Sequence, residues 1–205
     1  MITIIDYGAG NMYSIKNMIT RLGHESIVSK DENKILKANM LILPGVGNFD
    51  YGMQNLELSR LINVLNESVL NNKTPILGIC LGAQLMCRFS EEGEKRGLGW
   101  FDAEVIKFDK EKLLREQKIP HMGWNHVTQQ IPSKIFKEFG DDMRFYFVHS
   151  YHFVTNDMNI CLATTNYGYE FPSVLGKDNI YAVQFHPEKS HRYGLKLMEN
   201  FIKYD

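Results

Sequence analysis

Short apolar runs recur through the first half of the chain, and stretches with apolar positions at helical spacing follow them. Residues 2–6 (ITIID) form a β-branched run, and Gly8-Ala9-Gly10 then turns the chain. Residues 11–23 carry a helical pattern that stops at Gly23. Residues 25–29 (ESIVS) predict a strand, 31–38 a short helix behind an acidic cap, and 40–44 (MLILP) a strand ending in Pro44. A helix is expected over 50–70 with Asp50 as N-cap, a strand over 75–79 (PILGI), and a helix over 81–90. Strands alternating with helices through short turns imply βαβ crossovers and a mainly parallel sheet. Both faces of such a sheet are covered, so its strands are apolar throughout rather than alternating.

The second half changes character. Residues 103–108, 125–130, 144–154, 160–168 and 180–186 are strand-like with little helix between them. They predict antiparallel strands that extend and cover the sheet, and a helix over 192–204 closes the chain. The expected architecture is therefore α/β. It is a mainly parallel open sheet flanked by helices, with added antiparallel strands. With no repeat, low-complexity tract or Pro/Ser-rich linker, the expectation is one domain over 1–205.

Composition adds mainly exclusions. The 205 residues are 44% hydrophobic and 23% charged, which suits a globular chain. A net charge of −1 gives no broad field for nucleic acid or an anionic membrane. No window approaches 18 apolar residues, and residues 1–11 lack the basic and apolar regions of a signal peptide. Three cysteines, Cys80, Cys87 and Cys161, form neither a disulfide framework nor a CxxC metal pattern. The expectation is a cytoplasmic protein that binds neither nucleic acid nor membrane.

One cysteine stands apart. Gly78-Ile79-Cys80-Leu81-Gly82 ends an apolar strand and opens a helix. That is the context of a nucleophile elbow, where flanking glycines leave room for a strained turn. A helix N-terminus under the sulfur favours its thiolate. The same residues also suit a buried packing cysteine beside turn glycines. Cys87, expected inside the helix, and Cys161, between Ile160 and Leu162, read as core.

A thiol nucleophile needs a base. Among seven histidines, His186 ends an apolar strand as His186-Pro187-Glu188. In an extended segment, residues i and i+2 share a face, so Glu188 would orient the imidazole. The same pair also suits a surface strand end. His149, also at a strand end, is expected to be structural or to support the site from behind, not to compete as base. The loop Pro44-Gly45-Val46-Gly47 could turn backbone N–H groups toward a developing oxyanion, or it could be a plain βα turn.

Taken together, the loop at 44–47, GICLGAQ at 78–84 and FHPEKS at 185–190 resemble the class I, triad-type glutamine amidotransferases, which have a flavodoxin-like architecture. Residues 4–23, 43–53, 120–125, 145–151 and 166–168 further resemble the glutaminase subunits of imidazole glycerol phosphate synthase, over essentially the whole chain. The resemblance implies glutamine hydrolysis with Cys80 as nucleophile, His186 as base and Glu188 as its orienting acid. It implies an oxyanion hole at Val46, Gly47 and Leu81, and glutamine contacts at Gln84 and Gly45. It further implies delivery of ammonia to a (β/α)8 barrel cyclase subunit for histidine biosynthesis. The partner would be met at Asn11, Trp124 and Lys189, with no metal or organic cofactor. Ala83, residues 90–100 and residues 191–194 also resemble paralogues that supply ammonia for an acetamidino group in bacterial surface-sugar biosynthesis. The final acceptor therefore stays open between the two pathways.

Overall fold

The computed structural model describes residues 1–140 and 142–203. The first half forms β1 (Ile2–Ile5), α1 (Met12–Arg21), β2 (Ser26–Ser29), α2 (Glu32–Leu36), β3 (Met40–Leu43), α3 (Phe49–Leu58), α4 (Leu61–Asn66), β4 (Ile76–Ile79) and α5 (Leu81–Gln84). The second half adds β5 (Glu104–Lys107), β6 (His121–His126), β7 (Thr128–Gln129), β8 (Arg144–His149) and β9 (Tyr151–Val154). It continues with β10 (Cys161–Tyr167), β11 (Tyr169–Lys177), β12 (Ile180–Val183) and α6 (His191–Ile202).

The main sheet runs β2-β1-β3-β4-β12-β11-β10-β7. Its first five strands are mutually parallel, and β11, β10 and β7 continue it antiparallel. The parallel part has the flavodoxin-like order, which gathers ligands outside the carboxyl ends of the strands. Strands β1 and β4 are buried at every position. One apolar layer packs around Leu43, Phe49 and Leu81, the other around Ile4, Leu77 and Phe185. Two-stranded sheets, β5–β9 and β6–β8, lie outside the main sheet.

Four local expectations change. The cap of α3 is Asn48, whose side chain accepts from the N–H groups of Asp50 and Tyr51. Asp50 instead accepts from the backbone N–H groups of Glu94 and Lys95, tying that loop to α3. The helix expected over 50–70 is broken at Ser59 and Arg60, Arg60 taking φ +59°. The helix expected over 81–90 ends after Gln84. Past it the backbone pairs elsewhere: the carbonyls of Leu85, Met86 and Arg88 accept from the N–H groups of Leu98, Trp100 and Gly97, and Leu85, Met86 and Cys87 are all fully buried. Cys87 is thus core, as expected, but in a turn, and burial pushes its thiol pKa far up. Cys161 is also fully buried. Finally, β11 is a nine-residue strand where no strand was expected. The expected last residue of the closing helix, 204, lies outside the described residues.

Candidate active site

Three adjacent parallel strands feed three loops at one sheet edge. Strand β3 leads into 44–47, β4 into Cys80, and β12 through Gln184 and Phe185 to His186. The topology thus joins residues more than 100 positions apart in sequence.

Cys80 sits at φ +53°, ψ −111°, a conformation that costs a non-glycine residue about 1–3 kcal/mol. Its N–H donates to Val183 O at 2.9 Å, and its carbonyl accepts from Gln84 N at 3.0 Å. Surrounding structure therefore imposes the strained turn. Gly82 is needed because a Cβ there would collide with the Leu43 carbonyl, and a Cβ on Gly45 would meet the Gly82 N–H. The β3 loop and α5 approach backbone to backbone. Gly45 serves this approach, beside Val46 and Gly47, which line the pocket described below. Tyr7, at the end of β1, donates its hydroxyl to Pro44 O at 2.6 Å and pins the same loop. Burial, and then the Cys80 sulfur, hold this phenol well above its usual pKa.

His186 and Glu188 are both nearly inaccessible, and His186 Nδ1 lies 2.7 Å from Glu188 Oε1. The contact does not come from an extended strand, as the i, i+2 argument required. Pro187–Lys189 form a 3-10 turn, which curls Glu188 back under the ring. The His186 N–H is held by Tyr146 O at 2.9 Å, and Ser190 Oγ donates to the His186 carbonyl. Nε2 of His186 is buried and hydrogen-bonds to no protein group. Burial alone would lower the imidazole pKa, but the neighbouring Cys80 sulfur and Glu188 carboxylate reverse this and raise it to about 10.

A pocket of about 330 Å³ opens over these groups. Of the residues singled out in the sequence, Val46, Gly47, Cys80, Leu81, Gln84, His186 and Lys189 line it. Leu81 is the first residue of α5, so its N–H has no acceptor within the helix. Gln84 donates to Gln184 Oε1 at 3.0 Å and to Tyr151 O at 3.3 Å. Gln184 in turn reaches toward Cys80 Sγ at 3.9 Å. The other expected partner contacts lie off the pocket. Asn11 caps α1 by accepting from Ser14 N, while Trp124 is 47% exposed and stacks on His191 at 5.5 Å.

Several residues in or behind the pocket escaped the sequence reading. Gln184 had a signal, since it is a polar residue inside the apolar run YAVQF, on the same strand face as His186. Glu92 had none, because it belongs to a mixed-charge cluster. It lines the pocket, accepts from Phe49 N at 2.9 Å, and burial raises its carboxyl pKa. Ser150 and Tyr151 also line the pocket, together with His149, which the sequence had singled out only as a supporting residue.

The family model for class-I glutamine amidotransferases matches residues 3–204. With this fold and this cysteine–histidine site, the chain belongs to that family. It is 55% identical over 203 residues to imidazole glycerol phosphate synthase subunit HisH 2 of Methanococcus maripaludis, covering 99% of each chain. It is 44% identical to the subunit HisH 2 of Pseudomonas aeruginosa, again over 99% of each. Within the amidotransferases, the chain therefore belongs to the HisH subunits, the glutaminase subunits of imidazole glycerol phosphate synthase. The sugar-pathway alternative is not favoured by these relatives. Two solved structures share the fold. PurLQS from Thermotoga maritima has a TM-score of 0.75 at 17% identity, covering 99% of this chain and 97% of that one. The glutaminase domain of CTPS from Trypanosoma brucei has a TM-score of 0.65 at 17% identity, covering 100% and 94%.

Proposed function

We propose that the whole chain acts as one amidotransferase domain in which Cys80, His186 and Glu188 hydrolyse glutamine to glutamate and ammonia. The observation that carries this is the convergence of Cys80 and His186 on one pocket, with Glu188 2.7 Å behind the imidazole. His186 Nε2 takes the thiol proton, and the sulfur attacks the side-chain amide carbon of glutamine. Backbone N–H groups of Leu81 and of the Val46–Gly47 loop receive the oxyanion. The Nε2 proton passes to the departing nitrogen, which leaves as ammonia. Water then gives its proton to Nε2 and cleaves the thioester, releasing glutamate and the free thiol. Throughout, Glu188 accepts from Nδ1–H, fixing the tautomer and stabilising the imidazolium. Glu92 suits the substrate ammonium, and Gln84 the amino-acid end, because both line the same pocket.

Ammonia released into water would be protonated and lost, so delivery to an adjoining protein is favoured. We assign as partner the cyclase of the synthase, whose (β/α)8 barrel pairs with this chain as a heterodimer in the cytoplasm. The exposed face around Trp124, with Lys189 Nζ 5.7 Å from the Tyr146 ring and Asn11 at the start of α1, suits that contact. Among the described residues no helix is long and apolar enough to cross a membrane. Cys80→Ala should abolish glutamate release while the cyclase subunit still co-purifies. Undiminished release from that variant would contradict the assignment.

A further inference from the structure

We infer that His121 and His149 are positioning residues of this pocket, forming a neutral, one-directional hydrogen-bond chain that fixes the Tyr151 carbonyl to which Gln84 is bonded. The inference rests on reading the pocket as the glutamine site.

The direction follows from the atoms. His149 Nδ1 lies 2.7 Å from Tyr151 O, and a carbonyl can only accept, so Nδ1 carries the hydrogen. The neutral ring then has a bare Nε2, which lies 2.9 Å from His121 Nδ1. His121 must therefore donate from Nδ1 and accept at Nε2, where Asn125 Nδ2 stands at 3.1 Å. The Asn125 amide cannot be reversed without loss. Its Oδ1 takes the His126 N–H at 2.8 Å, and its Nδ2 also donates to Asn166 O at 2.9 Å. Every link points from Asn125 toward Tyr151. A proton added to His149 would set N–H against N–H, and one added to His121 would face the Asn125 amide donor. Burial acts in the same direction, holding His121 down to about 4 and His149 well below its ordinary range.

The rings are held as firmly as their hydrogen bonds. His121 stacks between Phe147 at 4.8 Å and Tyr167 at 4.1 Å, and His149 packs on Phe108 at 5.2 Å. Apolar side chains could fill this space without burying four ring nitrogens, so the polar pair points to a task beyond packing. That task lies at its end. The Tyr151 carbonyl accepts both His149 and Gln84, and Gln84 leads through Gln184 toward Cys80. His149 and Tyr151 line the pocket whereas His121 does not, so His121 acts only through the chain.

The test uses the chain bound to its cyclase partner, with glutamate release as readout. His121→Leu should raise KM for glutamine more than it lowers kcat, reducing kcat/KM roughly tenfold. His121→Asn, which keeps an N–H donor near the Nδ1 position, should recover to within about threefold of wild type. A folded His121→Leu complex with unchanged kcat/KM, or a His121→Asn as impaired as His121→Leu, would overturn the inference. Should both variants fail to fold, nitrogen NMR of histidine-labelled wild type decides. Both rings should be neutral Nδ1–H tautomers at pH 7, and an Nε2–H tautomer at His149 would overturn the chain directly. Wild type inert toward glutamine would overturn the amidotransferase reading instead, so the two failures are distinguishable.

Discussion

Glu188 lies two residues after His186, and its carboxylate meets the imidazole Nδ1 at 2.7 Å because a single 3-10 turn folds it back beneath the ring. Both side chains are at least 96% buried, so the contact is little screened by water. His186 is thereby left with one buried nitrogen, Nε2, available for proton transfer. Glu188→Gln keeps the shape but can reverse the polarity at Nδ1 and remove the charge that stabilises the imidazolium. A fall in kcat of about 10²–10⁴ is expected. Steady-state glutamate release by the complex checks this, and a loss below threefold would argue against the orienting role.

Gly82→Ala tests the close approach of the β3 loop to α5. The new Cβ would meet the Leu43 carbonyl, part of a strand buried on both faces. Relief requires moving the loop or the elbow, so a stability loss of about 1–3 kcal/mol is expected together with a large loss of activity. Urea denaturation and glutamate release measure the two effects. A variant as stable and active as wild type would show that the loop yields freely.

Tyr7→Phe removes the hydroxyl that holds the Pro44 carbonyl at 2.6 Å. Leaving that buried acceptor unpaired should cost about 1–3 kcal/mol. The freed loop carries Val46 and Gly47, so kcat should fall more than KM rises if those residues meet the oxyanion. A change confined to KM would place the loop's role in binding instead.

Stability should fall as the solution is acidified. His121, His149 and His152 all have pKa values lowered by burial in the folded chain, His121 to about 4. The charged groups near them do not remove this effect: His149 feels His121, His152 and His186, and Glu91 only partly offsets burial at His152. In the unfolded chain each titrates near pH 6.5, so the unfolded state binds protons first. Their contribution is complete above that pH and is lost as pH falls toward 4, by at most about 1.4 kcal/mol per pH unit for each group. His186, with its raised pKa, stays protonated in the folded chain throughout, so as pH falls from 7 to about 6 it partly opposes the three rings, and below that it adds little. Urea midpoints at pH 7 and pH 5 test the sign. Equal midpoints would show that these rings accept protons without unfolding.

The parallel half of the fold was legible because β1, β3 and β4 are nearly continuous apolar runs, as burial between two helical layers demands. The sequence also pointed to Cys80, His186 and Glu188, through glycines around a strand end and an unusual His-Pro-Glu. Strand β11 was not legible, since Pro172 and Gly176 interrupt it. The structure accommodates both. Pairing with β12 begins only at Val174, so Pro172 lies beyond it, and Gly176 packs against Leu162 where a side chain would collide. The histidine chain was hidden for another reason. His121, His149 and Asn125 come together only through the β6–β8 pairing, which puts His121 opposite His149. No local period encodes that register.

The central claim is that Cys80 is the nucleophile. The complex should be mixed with glutamine, quenched in acid during turnover, digested and examined by mass spectrometry. A glutamyl adduct is expected on the peptide carrying Cys80, cleaved by hydroxylamine and missing from Cys80→Ala. An adduct on Cys87 or Cys161, or steady glutamate release from Cys80→Ala, would contradict it.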